Sequence, residues 1–113
     1  MSRLRANCDF QRVRREGRTW SHPLIVLIAR ANDLNQTRVG IAASKRVGSA
    51  VARNRAKRRL REAIRQAGPT LALGWDVLLV ARPGLPKAGW PDVTQALTQL
   101  IGRANIRKNQ HRM

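Results

Sequence analysis

Ala52, Ala56, Leu60, Ala63, Ile64 and Ala67 recur at helical spacing, and Gly68-Pro69 follows them, so the stretch from Gly48 to Gln66 reads as one helix with a single apolar stripe. Such a stripe must be buried against another layer, and the flanking sequence offers one. Leu24–Ala29 is a short β-branched run that reads as a buried strand. Asn32–Asn35 is turn material, and Arg38–Ser44 reads as the partner strand of a hairpin. Trp75–Ala81 is a further strand, with Val77, Leu78, Leu79 and Val80 at its centre, and Arg82–Pro86 is a loop. A short helix over Asn7–Glu16 ends at Gly17, with a thin apolar side of Phe10 and Val13 and with Ala6 one turn before. A last helix starts near Pro91 and carries Val93, Ala96, Leu97, Leu100, Ile101 and Ala104 at the spacing of one face. The order α-β-β-α-β-α predicts an α/β sandwich, with residues 1–113 forming a single domain.

The charge balance narrows what this sandwich is for. Lys and Arg number 23 against 6 Asp and Glu, a net charge of +17. That excess repels itself in the folded state, and its usual benefit is a polyanionic partner. Arginine outnumbers lysine, and its planar fork suits phosphate and base edges. The lone cysteine, Cys8, excludes an internal disulfide and a cysteine metal cluster. It reads as a packing residue. Leu24–Ala29, the longest apolar run, is far short of the about 20 residues a bilayer requires. The N-terminus has no signal-peptide pattern. The chain therefore reads as intracellular and cytoplasmic.

The densest block of positive charge lies on the central helix. On a wheel with Ala56 as origin, the apolar residues centre near about 20°, and Asn54, Arg58, Arg61 and Arg65 lie at roughly 140–200°. Arg55 and Arg59 flank one side of that band, and Arg53 and Lys57 the other. Glu62 is the sole acid in the stretch and serves one arginine at most, so helix ion pairs leave the band unneutralised. Ordinary solvated faces mix signs, whereas arginines held unpaired on a rigid helix suit phosphate binding by counterion release. Asn54 is a poor mid-helix former, which favours a hydrogen-bonding role. Arg53, beside the apolar stripe, either braces the sheet or touches RNA.

Arg53-Asn54-Arg55, followed by Lys57-Arg58 and Arg61, resembles the RNR motif of the bacterial ribonuclease P protein family. The likeness extends outward. Ser44-Lys45-Arg46-Val47-Gly48 before Ala50-Val51 is similar to the family's lead-in, and Arg38-Val39-Gly40 to its preceding strand. Asp9-Phe10 with Gly17 resembles the first helix and turn, and Asp76-Val77 with Ala81-Arg82 the third strand. The last helix matches only in pattern.

The resemblance implies a ribosomal-protein-S5-domain-2-like sandwich with a left-handed βαβ crossover, although pattern alone favours the near-universal right-handed one. It implies a protein subunit that binds a catalytic RNA and promotes removal of the 5′ leader from precursor tRNA. Hydrolysis would be carried out by the RNA and Mg²⁺ held mainly by that RNA. Lys45, Arg46, Arg53, Asn54, Arg55, Lys57, Arg58, Arg61 and Arg65 would meet the catalytic RNA. A cleft between the first helix and the sheet, with Phe10, Arg14, Val26 and Ile28, would take the leader. Family members commonly carry a second aromatic where this chain has Arg14, which would stack on a base or pair with phosphate. The implied partners are the catalytic RNA and precursor tRNA, with no membrane and no obligate protein partner.

Other functions find less support. The acids Asp9, Glu16, Asp33, Glu62, Asp76 and Asp92 are scattered, and no two are spaced as metal ligands, so no catalytic or metal-binding side chain is expected. His22 and His111 read as exposed bystanders. Trp20, Trp75 and Trp90 flank apolar segments and read as core or edge packing rather than base platforms. A ribosomal protein shares the size and charge but not the Arg53-Asn54-Arg55 block. A helix-turn-helix regulator needs a helix before its recognition helix, where this chain has a strand. A membrane-active basic helix is disfavoured by a non-polar side made mostly of alanine.

Overall fold

The α2 stripe meets a sheet of five strands. The computed structural model describes residues 2–4 and 7–108. The elements are β1 (Ser2–Arg3), α1 (Asn7–Glu16), β2 (Arg18–Ser21), β3 (Ile25–Ala31), β4 (Arg38–Ala43), α2 (Ala50–Ala67), β5 (Trp75–Ala81) and α3 (Trp90–Ala104). Short 3-10 turns occupy Lys45–Val47, Gly68–Thr70 and Leu85–Lys87. Ala6 and His111 of the sequence reading lie outside the described residues.

The sheet order is β1-β4-β5-β3-β2. β4 and β5 are parallel neighbours joined by α2, which is a βαβ unit. β3 runs antiparallel to β5, from Ile25 opposite Ala81 to Ala31 opposite Trp75. The expected hairpin between the strands at 25–31 and 38–43 is therefore corrected: β5 lies between them. Val77, Leu78 and Leu79 are buried, so both faces of this strand are covered and it takes the centre of the sheet. The real hairpin joins β3 to β2, closed by the His22 N–H donating to the Ile25 carbonyl at 2.9 Å. β2 escaped the sequence reading because Arg-Thr-Trp-Ser lacks a β-branched apolar run, and β1 because it is two residues long.

Strand alternation splits the apolar residues between two layers. Ile25, Leu27, Ala29, Val39, Val77, Leu79 and Ala81 form the main core with α2 and α3. Ala56, Leu60, Ala63 and Ile64 of α2 are buried there, as the stripe predicts. The opposite face carries a smaller cluster of Leu4, Val13, Ile28 and Leu78, capped by α1. α1 is followed by Gly17, where the turn into the sheet leaves no room for a side chain: a Cβ there would lie 2.5 Å from the Val13 carbonyl oxygen of α1 and 2.9 Å from that of Ala29 in β3. Cys8, expected as a packing residue, is exposed on α1. Its position on a helix with a thin apolar side accounts for the difference. His22, expected to be an exposed bystander, is half-buried, and its Nδ1 accepts from the Leu24 N–H at 3.0 Å.

Candidate nucleic-acid interface

The basic helix begins later than its sequence pattern suggests. Ser49 caps α2, its hydroxyl accepting from the Ala52 N–H at 3.2 Å, and Gly48 takes φ 129° just before it. Lys45 and Arg46 consequently stand on a separate 3-10 turn, whose Ser44 hydroxyl accepts from the Arg46 N–H at 3.1 Å. Both are exposed.

On α2 itself Asn54, Arg55, Arg58, Arg61 and Arg65 are exposed, and Arg53 and Lys57 are half-buried. Glu62 is committed to the end of the band: Arg65 Nε donates to it at 3.1 Å and Gln66 Nε2 at 3.0 Å. The Arg65 hydrogen bond, followed by that of Gln66, holds the Glu62 carboxyl below its usual pKa, and the same contact raises Arg65. Among the described residues, Arg53, Arg55, Lys57, Arg58 and Arg61 have no side-chain hydrogen bond or ion pair, so their charge is free for an external anion. The bracing arginine is Arg59. Its Nη1 donates to the carbonyls of Leu85 and Pro86, each at 3.0 Å, and its guanidinium lies 5.9 Å from the Trp90 ring centre.

On the α1 face of the sheet, register arranges side chains in three rows. Arg30, Asp76 and Arg38 form the first, Ile28, Leu78 and Gly40 the second, and Val26, Val80 and Ala42 the third. α1 covers the middle row. Phe10 lies over Gly40, where a Cβ would come within 2.8 Å of its ring, and Val13 packs with Ile28 and Leu78. Ile28 is therefore 7% exposed, beneath the helix. The third row is left half-buried beside α1, so Val26, Val80 and Ala42 form an apolar floor with Phe10 partly exposed next to it. Arg14 is exposed on α1. At the β1–β4 side of the sheet, a cavity of about 460 Å³ joins Phe10 and Arg3 to Arg61 and Arg65 of α2.

The first row anchors α1. Arg38 grips Asp76 with two of its three guanidinium nitrogens, Nε to Oδ1 at 2.9 Å and Nη2 to Oδ2 at 2.8 Å, while Asn32 Nδ2 donates to Oδ1 at 2.8 Å. Arg38 Nη1 also reaches Asp9 of α1 at 3.7 Å, and Arg30 Nε bonds Glu16 at 2.9 Å. Burial opposes ionisation of Asp76, which is 1% exposed, but the Arg38 fork and the Asn32 amide outweigh it and lower its pKa. Asp9, Glu16, Glu62 and Asp76 are thus all engaged with arginines. Among the described residues no three His, Cys, Asp or Glu gather as metal ligands. Trp20, Trp75 and Trp90 pack half-buried at the rim of the main core.

Comparison with known proteins finds matches over nearly the whole chain. The Ribonuclease P family model matches residues 1–105. The ribonuclease P protein component of Herpetosiphon aurantiacus is 45% identical over 104 residues, covering 92% of this chain and 85% of that protein. That of Roseiflexus castenholzii is 42% identical over 105 residues, covering 92% and 86%. Among solved structures, the Staphylococcus aureus RNase P protein superposes with a TM-score of 0.82 at 27% identity, covering 94% of this chain and 97% of that one. The Thermotoga maritima RNase P protein gives 0.80 at 28% identity, covering 91% and 97%.

Proposed function

The chain belongs to the ribonuclease P protein family, and from that premise we propose how its two surfaces divide the work of tRNA 5′ maturation. As a protein component of this ribonucleoprotein endoribonuclease, it associates with the ribonuclease P RNA. The observation that carries the reading is the unneutralised band of Asn54, Arg55, Arg58 and Arg61 on the exposed side of α2, with the sole nearby acid already held by Arg65. This band, with Lys45, Arg46, Arg53, Lys57 and Arg65 around it, binds the phosphates of the catalytic RNA. Each phosphate neutralised releases counterions, and the guanidinium forks fix orientation as well as affinity.

The α1 face takes the single-stranded 5′ leader of precursor tRNA. Phe10 offers its ring to an unpaired base, Val26 and the rest of its row provide an apolar floor supported by Ile28, and Arg14 sits where the backbone would pass. The cavity around β4 links this face to Arg61 and Arg65, so leader and catalytic RNA occupy adjoining parts of one surface. Asp9, Glu16, Glu62 and Asp76 are engaged in arginine pairs, which fits a division in which Mg²⁺ and the hydrolytic chemistry belong to the RNA. No described helix is long and apolar enough to cross a membrane, and a cytoplasmic setting fits the reading.

The test is reconstitution. Pure protein added to a ribonuclease P RNA at low Mg²⁺ should stimulate cleavage of precursor tRNA. A protein in which Arg55, Arg58 and Arg61 are all alanine should fold and fail to stimulate. Equal stimulation by both would overturn the assignment of α2.

A further inference from the structure

The packing of α2 against α3 produces a site that the sequence order conceals. Trp90 opens α3, thirty-odd residues beyond the basic block, yet it lines a shallow cavity of about 430 Å³ with Arg55, Arg58, Arg59 and Glu62. Arg59 is fixed there by its two carbonyl bonds and lies over the Trp90 ring. Arg55 and Arg58 stand exposed at the rim, and among the described residues neither has a side-chain partner. The one acid of the cavity, Glu62, is turned to Arg65 and Gln66.

We propose that this cavity is a nucleotide-binding site for one unpaired, unstacked residue of the catalytic RNA, its base lodged against Trp90 and Arg59 and its phosphate held by Arg55 and Arg58. The inference rests on the reading that α2 faces the catalytic RNA. The chemistry fits the occupant. An aromatic ring with a stacked guanidinium is a surface every base can use, and two free forks beside it suit a phosphate. A solvated acidic peptide would have no use for the ring, and an apolar partner none for the arginines. The site lies on the α2–α3 layer, with the sheet between it and Phe10, so it belongs to the catalytic RNA and not to the leader.

The experiment compares Trp90→Leu, Trp90→Phe and Arg58→Ala, each checked by thermal melting, for binding to ribonuclease P RNA across a salt series. Trp90→Leu should weaken binding by about tenfold, the lower part of the range for loss of one stacked base. Trp90→Phe should recover most of that loss. Neither should change the salt slope, since no charge is removed. Preference for precursor over mature tRNA should not move. Normal binding by a folded Trp90→Leu protein, with binding weakened in Arg58→Ala, would overturn this site and leave the helix assignment standing. Normal binding by both would overturn the helix assignment as well. If Trp90→Leu melts too low to assay, a protein with Trp20→Phe and Trp75→Phe retains Trp90 as sole indole. RNA should quench its emission, and unchanged emission would refute the proposal.

Discussion

Phe10 rests on Gly40: a methyl group at residue 40 would stand 2.8 Å from one ring carbon of Phe10 and 2.9 Å from the next. The only residue type that lets α1 lie this close to β4 is the one present. Gly40→Ala should push Phe10 off its seat and cost about 1–3 kcal/mol of stability, the usual range for overpacking. Thermal melting checks the first effect. Leader affinity, measured as the precursor to mature tRNA binding ratio, checks the second and should fall with it.

Phe10→Ala separates the ring's two roles. It removes packing over Gly40 and, by the proposed function, a base platform worth about 1–3 kcal/mol. The precursor to mature ratio should drop while affinity for the catalytic RNA alone stays the same. An unchanged ratio in a protein that melts normally would place the leader elsewhere.

Asp76 should make the fold acid-sensitive. Its pKa is lowered in the folded state, so its contribution is complete above the ordinary aspartate value of 3.8 and is lost as pH falls through the lower folded value. Asp76→Asn should remove that contribution at neutral pH by breaking the Arg38 fork, at a cost of about 3–5 kcal/mol for a buried pair. In the natural protein this contribution should hold the melting temperature from pH 7 down to the ordinary aspartate value of 3.8 and let it fall below that, with a flatter profile in the variant. The same variant, where it folds, should retain cleavage in the reconstituted enzyme, because Asp76 has a structural partner.

How much of this was legible in sequence depends on how local each feature is. The α2 stripe, its stop at Gly68-Pro69 and its arginine band follow from spacing within one helix, and the structure places Ala56, Leu60, Ala63 and Ile64 in the core as that spacing requires. The place of β5 between β3 and β4 was not legible, because strand order is set by which strand is buried on both faces and not by chain order. The fork between Arg38 and Asp76 spans 38 residues and exists only through that strand order. Arg59 is a similar case. On a helical wheel it resembles Arg55 at the margin of the basic band, and only the carbonyls of the 85–87 turn show that it braces the fold. The nearness of Trp90 to α2 likewise comes from packing between helices far apart in sequence.

Asn54→Ala should weaken RNA assembly without altering its salt dependence. The side chain is exposed in mid-helix among arginines and carries hydrogen-bonding capacity but no charge. Losing one or two hydrogen bonds predicts about 0.5–1.5 kcal/mol each. The natural protein and the variant should give parallel lines of log affinity against log salt. A changed slope would mean that Asn54 acts through its neighbours' charges.

Arg58 and Arg59 are adjacent on α2 and should fail in different measurements. Arg58 is exposed and, among the described residues, has no side-chain partner, so nothing in the fold depends on its fork. Arg58→Lys keeps the charge, and its melting temperature should be that of the natural protein. If the fork meets a phosphate or base, lysine cannot reproduce two parallel donors, and assembly with the catalytic RNA should weaken by about 1–2 kcal/mol. Arg59→Lys also keeps the charge but loses planar donors placed between the Leu85 and Pro86 carbonyls and over Trp90. Its first effect should be on stability, a loss of about 1–2 kcal/mol read by melting in the absence of RNA. Arg107→Lys, beyond α3, serves as the reference and should change neither quantity by more than about 0.5 kcal/mol. Equal assembly constants for Arg58→Lys and Arg107→Lys would mean that the helix acts as a cloud of positive charge with no defined contact at residue 58.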